Sequence, residues 1–155
     1  MDANRPPSPP SDPAPSGPSS PDSSWIHRVD ISELDPYSHA NHTAYIKWLE
    51  EGRERLLRSR GFSFLVMAGE SRRPVLANLN LDFKGQANWG DEIAVETRVE
   101  KLGRSSVTFG HGMRSREGRE VLRGTVTMVF VDGSGRPAEI PEEFRRAFGN
   151  ERALP

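Results

Sequence analysis

DPYSHANHTAYIKWLEEGRERLLRSRG, running from Asp35 to Gly61, is the stretch from which the fold can be read. It opens as a polar loop, Asp35 to His42, and continues into a long helical pattern. Tyr45, Trp48, Leu49, Gly52, Leu56 and Leu57 recur at spacings of three and four, which is one apolar stripe on a helix. Lys47, Glu50, Glu51, Glu54, Arg55 and Arg58 fall mostly on the other side. Glu51 with Arg55 and Glu54 with Arg58 place the acid four residues before the base, the favourable orientation for helix support. Asn41 or Thr43 can cap the start, and Gly61 is a natural stop. Gly52 in the helix interior costs about 1 kcal/mol against Ala, so close packing is expected there.

A helix begins with backbone N–H groups that have no partner inside the helix. Such an end can hold an oxyanion or polarise a carbonyl. The loop that precedes it brings a carboxylate, an imidazole and an amide within seven residues: Asp35, His39 and Asn41. The same residues have a purely structural reading. Asp-Pro opens turns, Asn caps helices, and a surface His often has no task. His39 and His42, three apart, resemble half of a metal site. With no third ligand in view and no cysteine in the chain, no metal is expected.

Outward from this stretch the chain divides into two materials. Met1 to Ser24 holds eight prolines and seven serines and no large apolar residue after Met1, so a disordered or polyproline-like tail is expected over 1–24. Order is expected from Trp25 onward, giving one domain over 25–155. Trp25, Val29 and Ile31 share a parity, which predicts a strand over Trp25 to Ser32. After Gly61, the apolar Phe62, Phe64, Leu65 and Met67 predict a turn or short helix that either lines a pocket or simply packs into the core.

Four strand patterns follow. Val75, Ala77, Leu79, Leu81 and Phe83 alternate with Leu76, Asn78, Asn80 and Asp82. Ile93 to Val99 and Val107 to Met113 alternate in the same way, whereas Leu122 to Val131 is apolar enough to be covered on much of both faces. Turn signals at Trp89-Gly90-Asp91, Leu102-Gly103-Arg104 and Glu117-Gly118 separate them. Pro141 to Phe148 reads as a short helix with Pro at its first position. One strand, one long helix and four more strands joined largely by hairpins make an α+β fold, an antiparallel sheet against one long helix.

The formal net charge is −1, so no basic excess points to nucleic acid or to acidic membranes. The absence of cysteine removes disulfides and thiolate chemistry, and fits a reducing compartment. No run approaches the roughly 20 apolar residues of a membrane span, and the first residues lack a signal-peptide layout. A cytoplasmic location is therefore expected.

The pattern Asp-x3-His-x-Asn-x3-Tyr-x2-Trp, here Asp35, His39, Asn41, Tyr45 and Trp48, resembles the signature of hot-dog-fold acyl thioesterases. It is similar to versions carried by the 4-hydroxybenzoyl-CoA thioesterase family and the plant acyl-ACP thioesterases. The resemblance implies an antiparallel sheet wrapped around the central helix, with two such sheets paired edge to edge in a homodimer or homotetramer and active sites at the subunit interface. It implies hydrolysis of acyl-CoA thioesters without a cofactor, CoA being part of the substrate. Asp35 would be the catalytic carboxylate, as nucleophile or as general base. The backbone N–H of His42 would polarise the thioester carbonyl, and His39 and Asn41 would orient Asp35, the water or the carbonyl. Tyr45 and Trp48 are expected in the core, and Glu50 and Glu51 on the solvated side of the helix. Arg104, with Ser105 beside it, lies on a hairpin matching one that holds CoA phosphates. That turn carries less charge here, which keeps acyl-carrier-protein thioesters open as substrates. A non-catalytic acyl-CoA-binding protein is the reading from another class.

Overall fold

The computed structural model describes residues 21–149, and the tail expected over 1–24 lies almost wholly outside them. Five strands form one antiparallel sheet: β1 (Ser23–Arg28), β2 (Arg73–Phe83), β3 (Glu92–Leu102), β4 (Ser106–Ser115) and β5 (Glu120–Val131). Their order across the sheet is β1-β3-β4-β5-β2. A long helix, α1 (His42–Ser59), lies between β1 and β2 in the chain. A single turn, α2 (Phe64–Met67), follows it, and α3 (Glu142–Gly149) closes the described chain. The α+β arrangement expected from the sequence is the one observed.

α1 forms where its pattern predicts. The Asn41 side chain accepts a hydrogen bond from the Thr43 N–H at 3.0 Å and caps the start. Gly61, at φ 82°, takes the left-handed conformation just after the end, where a side chain would be strained. The stripe is buried: Leu49, Leu56 and Leu57 are fully enclosed, with Tyr45 and Trp48 nearly so. Both acid–base pairs form, Glu51 with Arg55 at 2.8 Å and Glu54 with Arg58 at 2.6 Å. Gly52 is needed for the approach, because a Cβ there would lie 2.6 Å from Thr97 Oγ1 on β3.

α1 packs over β1 and β3. The apolar residues between helix and sheet form two clusters. One holds Tyr45, Trp48, Leu49, Val95, Met113 and Leu122, near the start of the helix. The other holds Leu56, Leu57, Phe109, Phe130, Phe144 and Phe148, near its end.

Two expectations are corrected. The first strand runs from Ser23 to Arg28, not from Trp25 to Ser32, so it starts two residues inside the expected tail. Val29 donates to the Asp91 carbonyl, and residues Ile31–Glu33 form a 3-10 turn that Asp30 caps. Asp30 and Glu33 each hold the other's backbone N–H, and this capping box displaces the strand. Ile31, expected on the buried side, is 63% exposed. On β2 a register shift between Leu76 and Asn78 breaks the alternation. Leu76, Leu79, Leu81 and Phe83 therefore face the helix side together, since a one-residue bulge moves every later side chain to the other face. β5 is covered on much of both faces, as expected: Leu122, Val126, Met128 and Phe130 are buried on the helix side, Val121 and Val131 are buried too, Thr125, Thr127 and Val129 are half-buried, and only Arg123 of Leu122 to Val131 is exposed.

Candidate active site

The loop before α1 is held from both ends by its own backbone. The Asp35 N–H donates to the His39 carbonyl at 2.8 Å, and Ser38 N–H to the Asp35 carbonyl at 3.0 Å. The Asp35 Oδ1 then accepts from the Tyr37 N–H at 2.8 Å and the His39 N–H at 3.2 Å. Ser38 sits at φ 66°, a left-handed conformation that non-glycine residues adopt at some cost, and it tightens the turn around the carboxylate. Asp35 is half-buried, and its Oδ2 has no hydrogen bond among the described residues. One carboxylate oxygen is thus committed to the loop, and the other is available.

Asn41 N–H donates to the Glu33 carbonyl at 2.8 Å, and Ala40 N–H to the Ala87 carbonyl at 2.8 Å, which fixes the loop against the start of α1. Thr43 N–H is taken by the Asn41 side chain and Ala44 N–H by the Asn41 carbonyl. That leaves the N–H of His42, first residue of the helix, without an acceptor among the described residues. His39 is half-buried and pairs with Asn88 through an isolated β-bridge; His42 is exposed. The structure therefore brings Asp35, His39, Asn41 and His42 together at one helix N-terminus. The His39 and His42 imidazoles share no group of three or more metal-ligating residues among the described ones.

Tyr45 lies under this loop. Its ring packs edge-on to Trp48 and Phe83, and its hydroxyl accepts from the Ala87 N–H at 3.1 Å. Burial raises the Tyr45 hydroxyl above the usual phenol range, against the pull of the Ala87 N–H and Arg119; the charge of Asp35 adds to the rise. The hydroxyl is therefore a neutral neighbour of the carboxylate. Beside it, an open hollow of about 620 Å³ is lined by Phe83, Lys84, Gly85, Gln86, Asn88 and Arg119.

Sequence reasoning missed Glu33. Its carboxylate accepts from Trp48 Nε1 at 2.8 Å, from Asp30 N–H at 2.9 Å, and contacts His27 Nε2 at 2.8 Å. Burial alone would raise its pKa, but these hydrogen bonds outweigh burial and hold the carboxyl below its usual range. Glu33 ties β1, the 3-10 turn and α1 together directly behind the Asp35 loop. Its spacing of three from Asp30 is a local capping-box signal, but its side-chain partners His27 and Trp48 lie 6 and 15 residues away.

Arg53 and His111 were also missed as a pair. Arg53 is 6% exposed and His111 2% exposed. Arg53 Nη1 donates to His111 Nε2 at 3.4 Å, which leaves Nδ1–H to donate to Thr97 Oγ1 at 3.1 Å. Burial, then the Arg53 charge, push His111 down to about 3, so the ring is neutral. Burial likewise lowers Arg53 to about 10. One signal was available: Arg53 lies four residues after Leu49 and three before Leu56, inside the apolar stripe.

The His111 shift has a measurable consequence. Its folded pKa lies below its ordinary value of 6.5, so below pH 6.5 the unfolded chain binds a proton that the folded chain refuses. His111 therefore stabilises the fold above pH 6.5, and the contribution drains away as pH falls toward about 3. The full swing is on the order of a few kcal/mol. Urea unfolding at pH 7 and pH 5 should show a loss for wild type that is smaller in His111→Gln; equal losses would remove this account.

Arg104 and Ser105 sit at the β3–β4 turn, at the other end of the molecule. Arg104 is 84% exposed and pairs with Glu139 at 2.9 Å. The turn is pinned by Arg145 Nη2, which donates to the Gly103 carbonyl at 2.7 Å. This turn lies beyond the C-terminal end of α1, and an 18-residue helix is about 27 Å long. Within one chain the structure does not bring Arg104 to Asp35. The hollow beside α2, of about 550 Å³ and lined by Phe62, Val66, Met67, Pro141 and Phe144 among others, lies at that same far end. Glu50 and Glu51 are exposed on the outer side of α1.

With this geometry established, comparison with known proteins gives a family. The family described as the Thioesterase-like superfamily matches residues 29–148. The long-chain acyl-CoA thioesterase FadM of Escherichia coli (strain K12) is 28% identical over 100 residues, covering 64% of this chain and 75% of FadM. A thioesterase from Thermus thermophilus, solved in complex with coenzyme A and Zn, superposes with a TM-score of 0.76 at 27% identity, over 88% of this chain and 98% of that one. A DHNA-CoA thioesterase from Staphylococcus aureus superposes with a TM-score of 0.79 at 20% identity, over 85% and 91% of the two chains.

Proposed function

Because this chain belongs to the Thioesterase-like superfamily and has the hot-dog fold, we propose that it hydrolyses acyl-CoA thioesters at the loop from Asp35 to His42. One observation carries the proposal. A carboxylate with one oxygen fixed by two backbone N–H groups stands beside a helix start whose first N–H is unclaimed. In the mechanism, the thioester carbonyl accepts from the His42 N–H, and the helix dipole stabilises the charge that grows on that oxygen. Asp35 Oδ2 either attacks the carbonyl carbon, expelling the CoA thiolate and leaving a mixed anhydride that water cleaves, or removes a proton from an attacking water. Asn41 fixes the helix start, and His39 shapes the loop through its backbone. Cofactors are not required, because Asp35, one water and the helix dipole supply every part of the reaction.

The test is release of CoA thiol from one acyl-CoA, compared with release from the same acyl group on acyl carrier protein. The CoA ester should be the better substrate; hydrolysis confined to the carrier-protein ester would replace this reading with that of an acyl-carrier-protein thioesterase.

The site is proposed to be completed by a second copy. β2 is an outer strand of 11 residues, with Leu76 57%, Phe83 50% and Val75 38% exposed. An edge strand this long and apolar is a template for pairing. Two copies joined through β2 give a dimer, and dimers of dimers a tetramer. Sedimentation equilibrium at micromolar concentration should show an even-numbered oligomer; monomer alone would contradict the interface site. No helix among the described residues is long and apolar enough to cross a membrane.

Arg104 and Ser105 are proposed to contact CoA phosphate from another copy, since about 27 Å of helix separates that turn from Asp35 in one chain. A guanidinium that is exposed and, among the described residues, paired only with an exposed carboxylate can exchange partners readily. Arg104→Ala should raise KM for acyl-CoA several-fold and leave a truncated thioester without the nucleotide unaffected. Equal KM values for both proteins on both substrates would return Arg104 to the solvated surface.

A further inference from the structure

Arg53 is a buried cation whose counter-charge is missing among the described residues. Its side chain makes no ion pair there; its one hydrogen bond goes to His111, and its Nε is buried without a partner. Glu50 acts on it only through its field, from an exposed position on α1. His111 cannot neutralise it, because its Nε2 accepts as a neutral ring. A guanidinium enclosed this far is costly unless an anion meets it. The anion must then come from outside this part of the chain.

The surroundings say what kind of molecule brings it. α1 covers β1 and β3 and leaves the helix side of β2 open. Strand register puts His111 beside Gly124 and Gly124 beside Leu81, with Leu79 and Phe83 on the same side as Leu81. Leu79 is 36% and Phe83 50% exposed. An apolar face of β2, made by Leu79, Leu81 and Phe83, therefore lies on the helix side of the sheet, two strands from the His111 that Arg53 contacts. It starts at the catalytic end, where Phe83 packs on Tyr45 at 5.5 Å between ring centroids. Arg53 is eleven residues along α1 from His42, about 16 Å of axial rise from the His42 N–H, and helical side chains lean back toward that end.

We infer that Arg53 is a specificity-determining residue that binds a carboxylate at the far end of the acyl group, so that the preferred substrates are ω-carboxyacyl-CoA thioesters. The helix-side face of β2 takes the methylene chain, and Arg53 takes its terminal anion. This rests on the thioesterase reading above and names the substrate class for that same site.

The experiment measures kcat/KM of the full chain for a series of ω-carboxyacyl-CoAs and for plain acyl-CoAs of equal length. Wild type should favour the carboxylated ester by at least about 10-fold at one or more lengths, which is about 1.4 kcal/mol. Arg53→Met should bring that ratio to about one, and Arg53→Lys should restore part of it. A wild-type preference for plain esters at every length overturns the inference even if the variants do not fold. So does a preference that survives Arg53→Met. If wild type shows no preference and Arg53→Met weakens self-association in sedimentation, the carboxylate belongs to a second copy and the substrate assignment is overturned. Failure to hydrolyse either class overturns the thioesterase reading itself, a separate outcome.

Discussion

Asp35→Asn should lower kcat for the best acyl-CoA by roughly 10²–10⁴-fold, the range that a positioned proton-transfer group supplies. The substitution is nearly isosteric. Asn can present its side-chain oxygen to the Tyr37 and His39 N–H groups, as Asp35 Oδ1 does at 2.8 and 3.2 Å, so the loop should keep its shape. What disappears is the negative oxygen that is available for chemistry. An amide is neither a useful nucleophile toward a thioester nor a base near neutral pH. KM should move far less than kcat, because the acyl group and the CoA nucleotide bind away from Oδ2. Circular dichroism and thermal unfolding should match wild type. A folded Asp35→Asn that hydrolyses its best substrate within a few-fold of wild type would falsify the assignment. The exposed Glu50 and Glu51 would then be the next carboxylates to replace.

Leu49→Ala should cost about 2–5 kcal/mol, the range seen when a large aliphatic side chain is deleted from a closed core. Leu49 is fully enclosed at the middle of α1 and belongs to the cluster that includes Val95, Met113 and Leu122. The surrounding layer has little room to collapse. On one side Gly52 already brings the helix so near β3 that a single added carbon would meet Thr97. On the other, Trp48 is held by its hydrogen bond to Glu33. A melting temperature lower by roughly 10 °C is expected for a domain of this size. Leu65→Ala is the control: that side chain is 82% exposed, so its removal should change stability by no more than about 0.5 kcal/mol. A loss under about 1 kcal/mol for Leu49→Ala would mean that α1 is not anchored to the sheet as described.

The parts of the molecule that were legible in the sequence are those whose causes are local. Asn41 and Gly61 bracket α1 because capping and left-handed backbone are decided within a few residues. The burial of Leu49, Leu56 and Leu57 follows from spacing alone, as does the exposure of Glu50 and Glu51. The shared parity of Trp25, Val29 and Ile31 does not extend β1 to Ser32, because Val29 is buried in a loop by a backbone pair with Asp91, and parity does not distinguish a buried loop residue from a strand residue. The bulge at Ala77 moved the apolar face of β2 by one residue, and no residue there announces it. The ties of Glu33 to His27 and Trp48, and the Arg53–His111 pair, are not legible in spacing because those partners come from other elements. Arg53 lies on the apolar stripe of α1, where a charged residue is not expected, since its charge normally assigns it to the solvent side. The long separation between Asp35 and Arg104 became visible only when α1 was laid along the sheet. Two positions matched to one family's site turned out to occupy opposite ends of one chain.

The most direct single measurement is CoA thiol release by the full wild-type chain, at neutral pH and without added metal, across acyl-CoAs that differ in chain length, ring content and terminal carboxylation. The account predicts enzyme-dependent release from at least one class, proportional to protein concentration and with free acid formed in equal amount. Binding of acyl-CoA without thiol release from any of them would contradict it, and would make the loop at Asp35 part of an acyl-thioester binding protein.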